Sequence, residues 1–169
     1  MTSSDSDILL SQPVTDEPMP MAHPLISTGH SRLTLAGAKL MLGVAEEKAR
    51  RMGLSMDIAI CDDGGNLLAF HRMDGARITS IDVAISKAFT AAAARVSTAH
   101  YGRIAAPGQP AFGIHVSNGG RFMIVEGGLP ILIRGECLGG IGCSSGTPTQ
   151  DAEVAQAGLD ALLSQLSVA

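Results

Sequence analysis

The sequence of 169 residues predicts an α+β domain, an antiparallel sheet of about five strands flanked by helices. Three observations carry that reading. The apolar period changes from helical spacing before Met52 to strict alternation after it, and returns to helical spacing beyond Thr79. Two segments, Met56–His71 and Phe112–Glu126, are built as strand pairs about glycine-rich turns, which makes antiparallel neighbours. The run Gly135–Gly146 then reads as an apolar strand with little side-chain bulk, ending on a signal that launches a last helix.

In chain order, residues 1–31 are rich in proline, serine and aspartate, cannot form a core of their own, and read as an N-terminal arm. The domain is expected over 32–169. Thr34 caps a helix running to about Met52, in which Ala38, Met41, Leu42, Ala45 and Ala49 share one face. Glu46 and Arg50 make an i,i+4 pair facing outward, and Gly53 ends the helix. Met56, Ile58 and Ile60 next alternate with Asp57, Ala59 and Cys61, a strand with one buried face. Leu67–His71 returns beside it after a tight turn at Asp63-Gly64 or Gly65-Asn66.

A polar connection, Arg72–Arg77, leads into a second helix capped by Thr79, with Asp82 where an acid suits the helix dipole. Ile81, Ile85, Ala88 and Ala92 line its inner face, and the run Ala91–Ala94 lets another element approach closely. His100–Pro110 reads as loop, followed by the hairpin of Phe112–Ser117 with Phe122–Glu126. Ile131–Arg134 and Leu138–Cys143 complete the sheet. Ten of the twenty glycines fall between Gly113 and Gly146, so this half carries the unusual backbone. Thr147, Pro148 and Gln150 form a capping box with proline at the first helical position. Val154, Ala155, Gly158, Leu159, Leu162 and Leu166 supply the buried face of the last helix.

Composition narrows the function classes. The apolar share is 46% with no Trp, one Tyr and four Phe, so small residues do the packing and apolar surface remains for burial between subunits. A net charge of −4 without any Lys/Arg run argues against nucleic acid as the main partner. No apolar run approaches the ~20 residues that a membrane span needs. Cys61, Cys137 and Cys143 form an odd set without a C-x-x-C pair, which argues against a disulfide framework or structural zinc and fits a reducing cytoplasm. The amino end also lacks the basic-then-apolar pattern of an export leader. The five histidines show no metal-ligand spacing, so no metal site is expected.

Gly142-Cys143-Ser144-Ser145-Gly146 matches a nucleophile elbow in form, yet no histidine follows Ser144 and the sheet reads as antiparallel. Cys143 near a helix amino end has no visible base. Asp62–Asn66 lacks the distal glutamate of a calcium loop. The polar set Arg72, Asp74, Lys87 and Arg121 is more informative. Lys87 among alanines needs a counter-charge, which Asp74 or a bound carboxylate can supply, either as a structural ion pair or as a carboxylate pocket. The glycine-rich strand has two uses as well. It can pack tightly on its neighbours, or wall a place for something flat or anionic beside a helix amino end.

Several motifs together resemble the GlcG/HbpS family: Asp62-Asp63-Gly64-Gly65-Asn66-Leu67-Leu68, Arg72-Met73-Asp74-Gly75-Ala76, Ser86-Lys87-Ala88, Gly127-Gly128-Leu129-Pro130, and Gly139-Gly140-Ile141-Gly142 with Ser144, then Gln150-Asp151. The likeness covers about Leu33 to Leu166 and leaves out the arm. It implies a profilin-like α+β domain assembled as homo-oligomers, from dimers to octamers. It also implies one of two ligands. Some members bind haem between subunits; His71 and His30 are then the candidate ligands, with Arg and Lys on the propionates. An enzymatic branch is similar to 4-hydroxylaminobenzoate lyase and needs no cofactor. In that case Arg72, Lys87, Arg121 and the backbone of Gly127 and Gly128 hold a small aromatic acid. His71, Asp74 and Glu126 are then the catalytic candidates. A purely structural oligomeric module is the third alternative.

Overall fold

The computed structural model describes residues 29–167. Most of the predicted arm, residues 1–28, lies outside them. The element order is α1 (Leu35–Arg51), β1 (Asp57–Asp62), β2 (Leu67–Arg72), α2 (Ser80–Ala94), α3 (Thr98–Ile104), β3 (Gly128–Ile133), β4 (Glu136–Ser144) and α4 (Pro148–Ser167). The sheet has four strands in the order β2-β1-β4-β3, every neighbouring pair antiparallel.

The local signals that hold are those with an explicit partner. Thr34 Oγ1 accepts from Gly37 N at 3.2 Å and starts α1. Asp62 Oδ1 accepts from Gly64 N and Asn66 N, which shapes the β1–β2 turn, with Gly65 at φ +75°. The last helix opens on a full capping box, Thr147 N donating to Gln150 Oε1 at 2.9 Å and Gln150 N to Thr147 Oγ1 at 3.3 Å. Thr79 occupies the N-cap position of α2 but has helical dihedrals and makes no side-chain cap bond.

Two expectations fail between Ser97 and Gly127. His100–Pro110 is not all loop, because Ser97 accepts from His100 N and starts the short α3. The expected hairpin over Phe112–Glu126 is absent, so neither of its two strands joins the sheet, which has four strands rather than about five. Its place is taken by 3-10 turns at Ile114–Val116 and Asn118–Gly120. Positive φ at Gly113, Asn118, Gly119 and Gly120 bends the chain out of any ladder. Thr90 Oγ1 accepts from Met123 N, and Phe122 packs edge-on against Tyr101. Those contacts fasten the segment to α2 and α3.

The sheet is covered on both faces. Met41, Leu42 and Ala45 of α1 join Val154, Ala155 and Leu162 of α4, with Ile58, Ile60 and Ile141 beneath them, in the main core. Ala84 and Ala88 of α2 meet Ala59 and Cys61 on the opposite face. That second contact explains the glycines of β4. A Cβ on Gly140 would lie 2.3 Å from the Ala88 carbonyl oxygen, and one on Gly142 would lie 2.2 Å from that of Ala84. Two residues of strand advance ~6.6 Å and four of helix ~6 Å, so the two glycines keep step with the two alanines. The glycine-rich strand is therefore packed against helix backbone rather than open to a ligand. Gly142→Ala should lower stability by about 1–3 kcal/mol, read as a lower urea midpoint with unchanged slope.

Candidate functional site

Four backbone positions line up across one end of the sheet. Asp57 at the start of β1 pairs with Arg72 at the end of β2 and with Ser144 at the end of β4. Since Gly128 pairs with Gly142, Glu126 falls opposite Ser144 just ahead of β3. The row Arg72, Asp57, Ser144, Glu126 spans three strand spacings, ~14 Å. Two of the predicted residues thus share this end but sit at opposite edges.

Behind the row lies the buried ion pair. Lys87 Nζ donates to Asp151 Oδ2 at 2.7 Å and to the Cys143 carbonyl at 2.9 Å. Asp151 Oδ1 accepts from Gly146 N at 2.9 Å. The side chains of Lys87 and Asp151 are 1% and 4% exposed. Lys87 has the counter-charge its position demands, but the partner is Asp151 rather than Asp74 or a ligand. Burial pushes the Asp151 carboxyl upward, while Lys87 and the Gly146 N–H pull against that shift. Gly127 belongs to the same knot: at φ +118°, its Cβ would stand 2.6 Å from Asp151 Cβ and 2.8 Å from Lys87 Nζ. Gly128 donates its N–H to Thr98 Oγ1 at 2.9 Å.

Arg121 sits elsewhere. Its guanidinium lies 3.9 Å over the Phe89 ring and donates to the Gly65 carbonyl at the β1–β2 turn. Leu67, beyond that turn, is five residues from Arg72, ~17 Å along the strand. Cys143 is fully buried, and its thiol is raised by that burial and then by Asp151, so it holds its proton. Burial likewise pushes Cys61 up to about 12.

The remaining predicted residues meet in one cleft of about 520 Å³ at the open edge of β2, lined by Glu46, Arg50, Phe70, His71, Arg72, Met73 and Asp74. Glu46 and Arg50 were legible only as a surface helix pair; in the structure they border the site. His71 Nδ1 lies 2.7 Å from Glu46 Oε2. A carboxylate offers only lone pairs, so Nδ1 carries a proton, and in the neutral imidazole Nε2 then presents a lone pair. Arg50 bonds the other oxygen of Glu46 and also Glu47. Arg72 is exposed and makes no salt bridge to a described residue. His30 is exposed ahead of α1. Among the described residues no group of three or more His, Cys, Asp or Glu could hold a metal ion.

Comparison with known proteins identifies the family. A family model described as "Haem degrading protein HbpS-like" matches residues 33–160. The chain belongs to the HbpS-like family. A 15.0 kDa protein of the dhaT-dhaS intergenic region of Citrobacter freundii is 38% identical over 76% of this chain and 90% of its own length. Protein GlcG of Escherichia coli K12 is 34% identical over 63% and 77%. Among solved structures, Klebsiella pneumoniae ORFY superposes with a TM-score of 0.80 at 32% identity, covering 85% of this chain and 98% of that one. A PduOC:heme complex gives 0.75 at 27%, covering 78% and 95%. The HbpS-like fold was thus read correctly from sequence, with one strand too many.

The structure also exposes a residue that sequence reasoning passed over. Asp57 is fully buried, and neither carboxylate oxygen makes a hydrogen bond of good geometry, the Ser145 hydroxyl being the neighbouring donor. Its alternation with Ile58 and Ile60 placed it on a solvent face, but α2 covers that face. Burial raises its pKa above the ordinary 3.8, opposed by Arg72 and then Ser145. A carboxyl raised in the folded state contributes stability below the unfolded value and loses it as pH rises through the folded one. Asp57→Asn should therefore flatten part of the fall in melting temperature as pH rises above the ordinary carboxylate range. Lys87→Met strands Asp151 and should cost about 3–5 kcal/mol by urea unfolding, whereas adding Asp151→Leu should recover part of that loss.

Proposed function

We propose that this chain is a small-molecule binder whose ligand is haem or a related tetrapyrrole, seated at the β2-edge cleft. The observation that carries the reading is the Glu46–His71 pair. A histidine whose Nδ1–H is fixed by a carboxylate presents Nε2 as a ready metal ligand, the arrangement by which proteins orient ligating imidazoles. Arg72, exposed beside it, is suited to a propionate. Phe70 and Met73 supply apolar contact within the cleft. A single protomer offers a short apolar wall, and a second copy placed against the β2 edge would complete it. Haem in the PduOC complex and the haem-degrading description of the family support the assignment. Bound there, haem would supply an iron centre; His71, Glu46 and Arg72 would hold and orient it. We place the protein in the cytoplasm as a homo-oligomer, between dimer and octamer.

A second reading rests on the same pair acting as acid and base beside a free guanidinium. A lyase on an aryl hydroxylamine acid would hold the substrate carboxylate on Arg72. A proton from His71 or Asp74 would go to the departing N–OH oxygen, and overall one water is consumed as ammonia is released. Of the other residues expected at such a site, Lys87, Gly127 and Gly128 are buried within the protomer and do not reach it, while Glu126 and Arg121 would enter it only from a neighbouring subunit.

Titration of the purified protein with haem should give a shifted Soret band. His71→Ala should abolish the shift, and Glu46→Ala should weaken binding about 10–100-fold. Equal titrations for wild type and His71→Ala would overturn the haem assignment. Ammonia released from 4-hydroxylaminobenzoate by wild type, and not by His71→Ala or Arg72→Ala, would instead select the lyase.

A further inference from the structure

Among the described residues, the two oxygens of Asp57 are the buried side-chain polar atoms left without a hydrogen-bond partner. Such groups are rare in folded proteins, because a desolvated acceptor without a donor is costly. Position 57 joins the sheet through its backbone, and its side chain closes no cap, turn or ion pair. A second irregularity adjoins it. Ser145 takes φ 104°, a conformation L-residues seldom adopt, and its hydroxyl oxygen accepts from Arg77 N at 3.1 Å. That bond ties the connection between β2 and α2 down next to Asp57. Asp74, Gly75, Arg77, Ile78 and Thr79 of this connection are exposed, while Ala76 between them is buried and anchors it. Arg72, paired with Asp57 across the strands and without a salt bridge to a described residue, borders both the main cleft and a smaller recess of about 290 Å³.

We infer that Asp57 is the floor of a ligand subsite, accepting a hydrogen bond from an amine or hydroxyl of a small organic acid whose carboxylate is held by Arg72. The site rests on the role of Arg72 in the second reading above and names the ligand class: the ligand carries both a carboxylate and an N–H or O–H donor. It differs from the haem reading in using Asp57, which faces α2 with Ala59, rather than His71, which faces α1 with Ile58; the two readings share Arg72. The carboxyl that costs stability in the free protein is the one that the ligand's donor satisfies.

Isothermal titration of the full chain with 4-aminobenzoate and with benzoate tests this without any turnover. Wild type should prefer the amino acid by about tenfold, the worth of one buried hydrogen bond. Asp57→Ala should bind the two equally, whereas Asp57→Asn, which keeps an accepting oxygen, should retain most of the preference. Both variants should melt no lower than wild type at pH 8. Equal binding of both acids by wild type, binding of neither, or a preference surviving in Asp57→Ala would overturn the inference. So would failure of Asp57→Asn to fold, which would make the carboxyl structural. Binding selectivity lost in Asp57→Ala while ammonia release is never seen would uphold the subsite and dismiss the lyase.

Discussion

The ion pair between Lys87 and Asp151 is the constraint on which this domain is assembled. It reaches round the end of the sheet from α2, on one face, to the first turn of α4, on the other. An ammonium and a carboxylate taken out of water gain little over two apolar side chains, but each is costly alone. The pair therefore specifies geometry more than it adds stability. Lys87 also holds the Cys143 carbonyl, and Asp151 holds the Gly146 N–H, so four polar groups are satisfied together. The same knot leaves no room at Gly127, whose Cβ would collide with both charged side chains. With α2 registered on the sheet in this way, Gly140 and Gly142 must stay bare.

What the sequence disclosed follows from how local each cause is. Thr34, the Asp62 turn and the Thr147–Gln150 box are decided by partners within a few residues, and each forms as expected. The segment from Phe112 to Glu126 has alternating apolar residues and a glycine turn, the pattern of a hairpin. It joins neither edge strand of the sheet, and its donors are taken instead by Thr90 and by its own short turns. Alternation alone does not separate a strand from a loop whose apolar side chains dock on a helix.

The site divides along the same line. His71, Arg72 and Asp74 are neighbours in sequence, so their meeting in one cleft required only that β2 end at an open edge. Lys87 was recognisable as a cation needing a partner, but that partner stands 64 residues away. No spacing rule chooses between Asp151 and Asp74. Asp57 was hidden by a sound rule applied to the wrong environment. A strand alternating Ile and Asp normally has one wet face, and here α2 dries it.

The placement of any ligand follows from this packing. Bare glycines beside a helix amino end suggested a hollow, and in this fold the helix itself fills it, with carbonyl oxygens where Cβ atoms would be. A ligand is then excluded from the sheet–helix seam and must use the strand ends or the edge. Both are polar at the same end of the molecule. The edge offers an imidazole fixed by Glu46; the row beside it offers a guanidinium and an unsatisfied carboxyl. Close packing in the interior and unmet polarity at the rim have one cause, because the glycines that bring α2 down onto β4 also bring its start over Asp57.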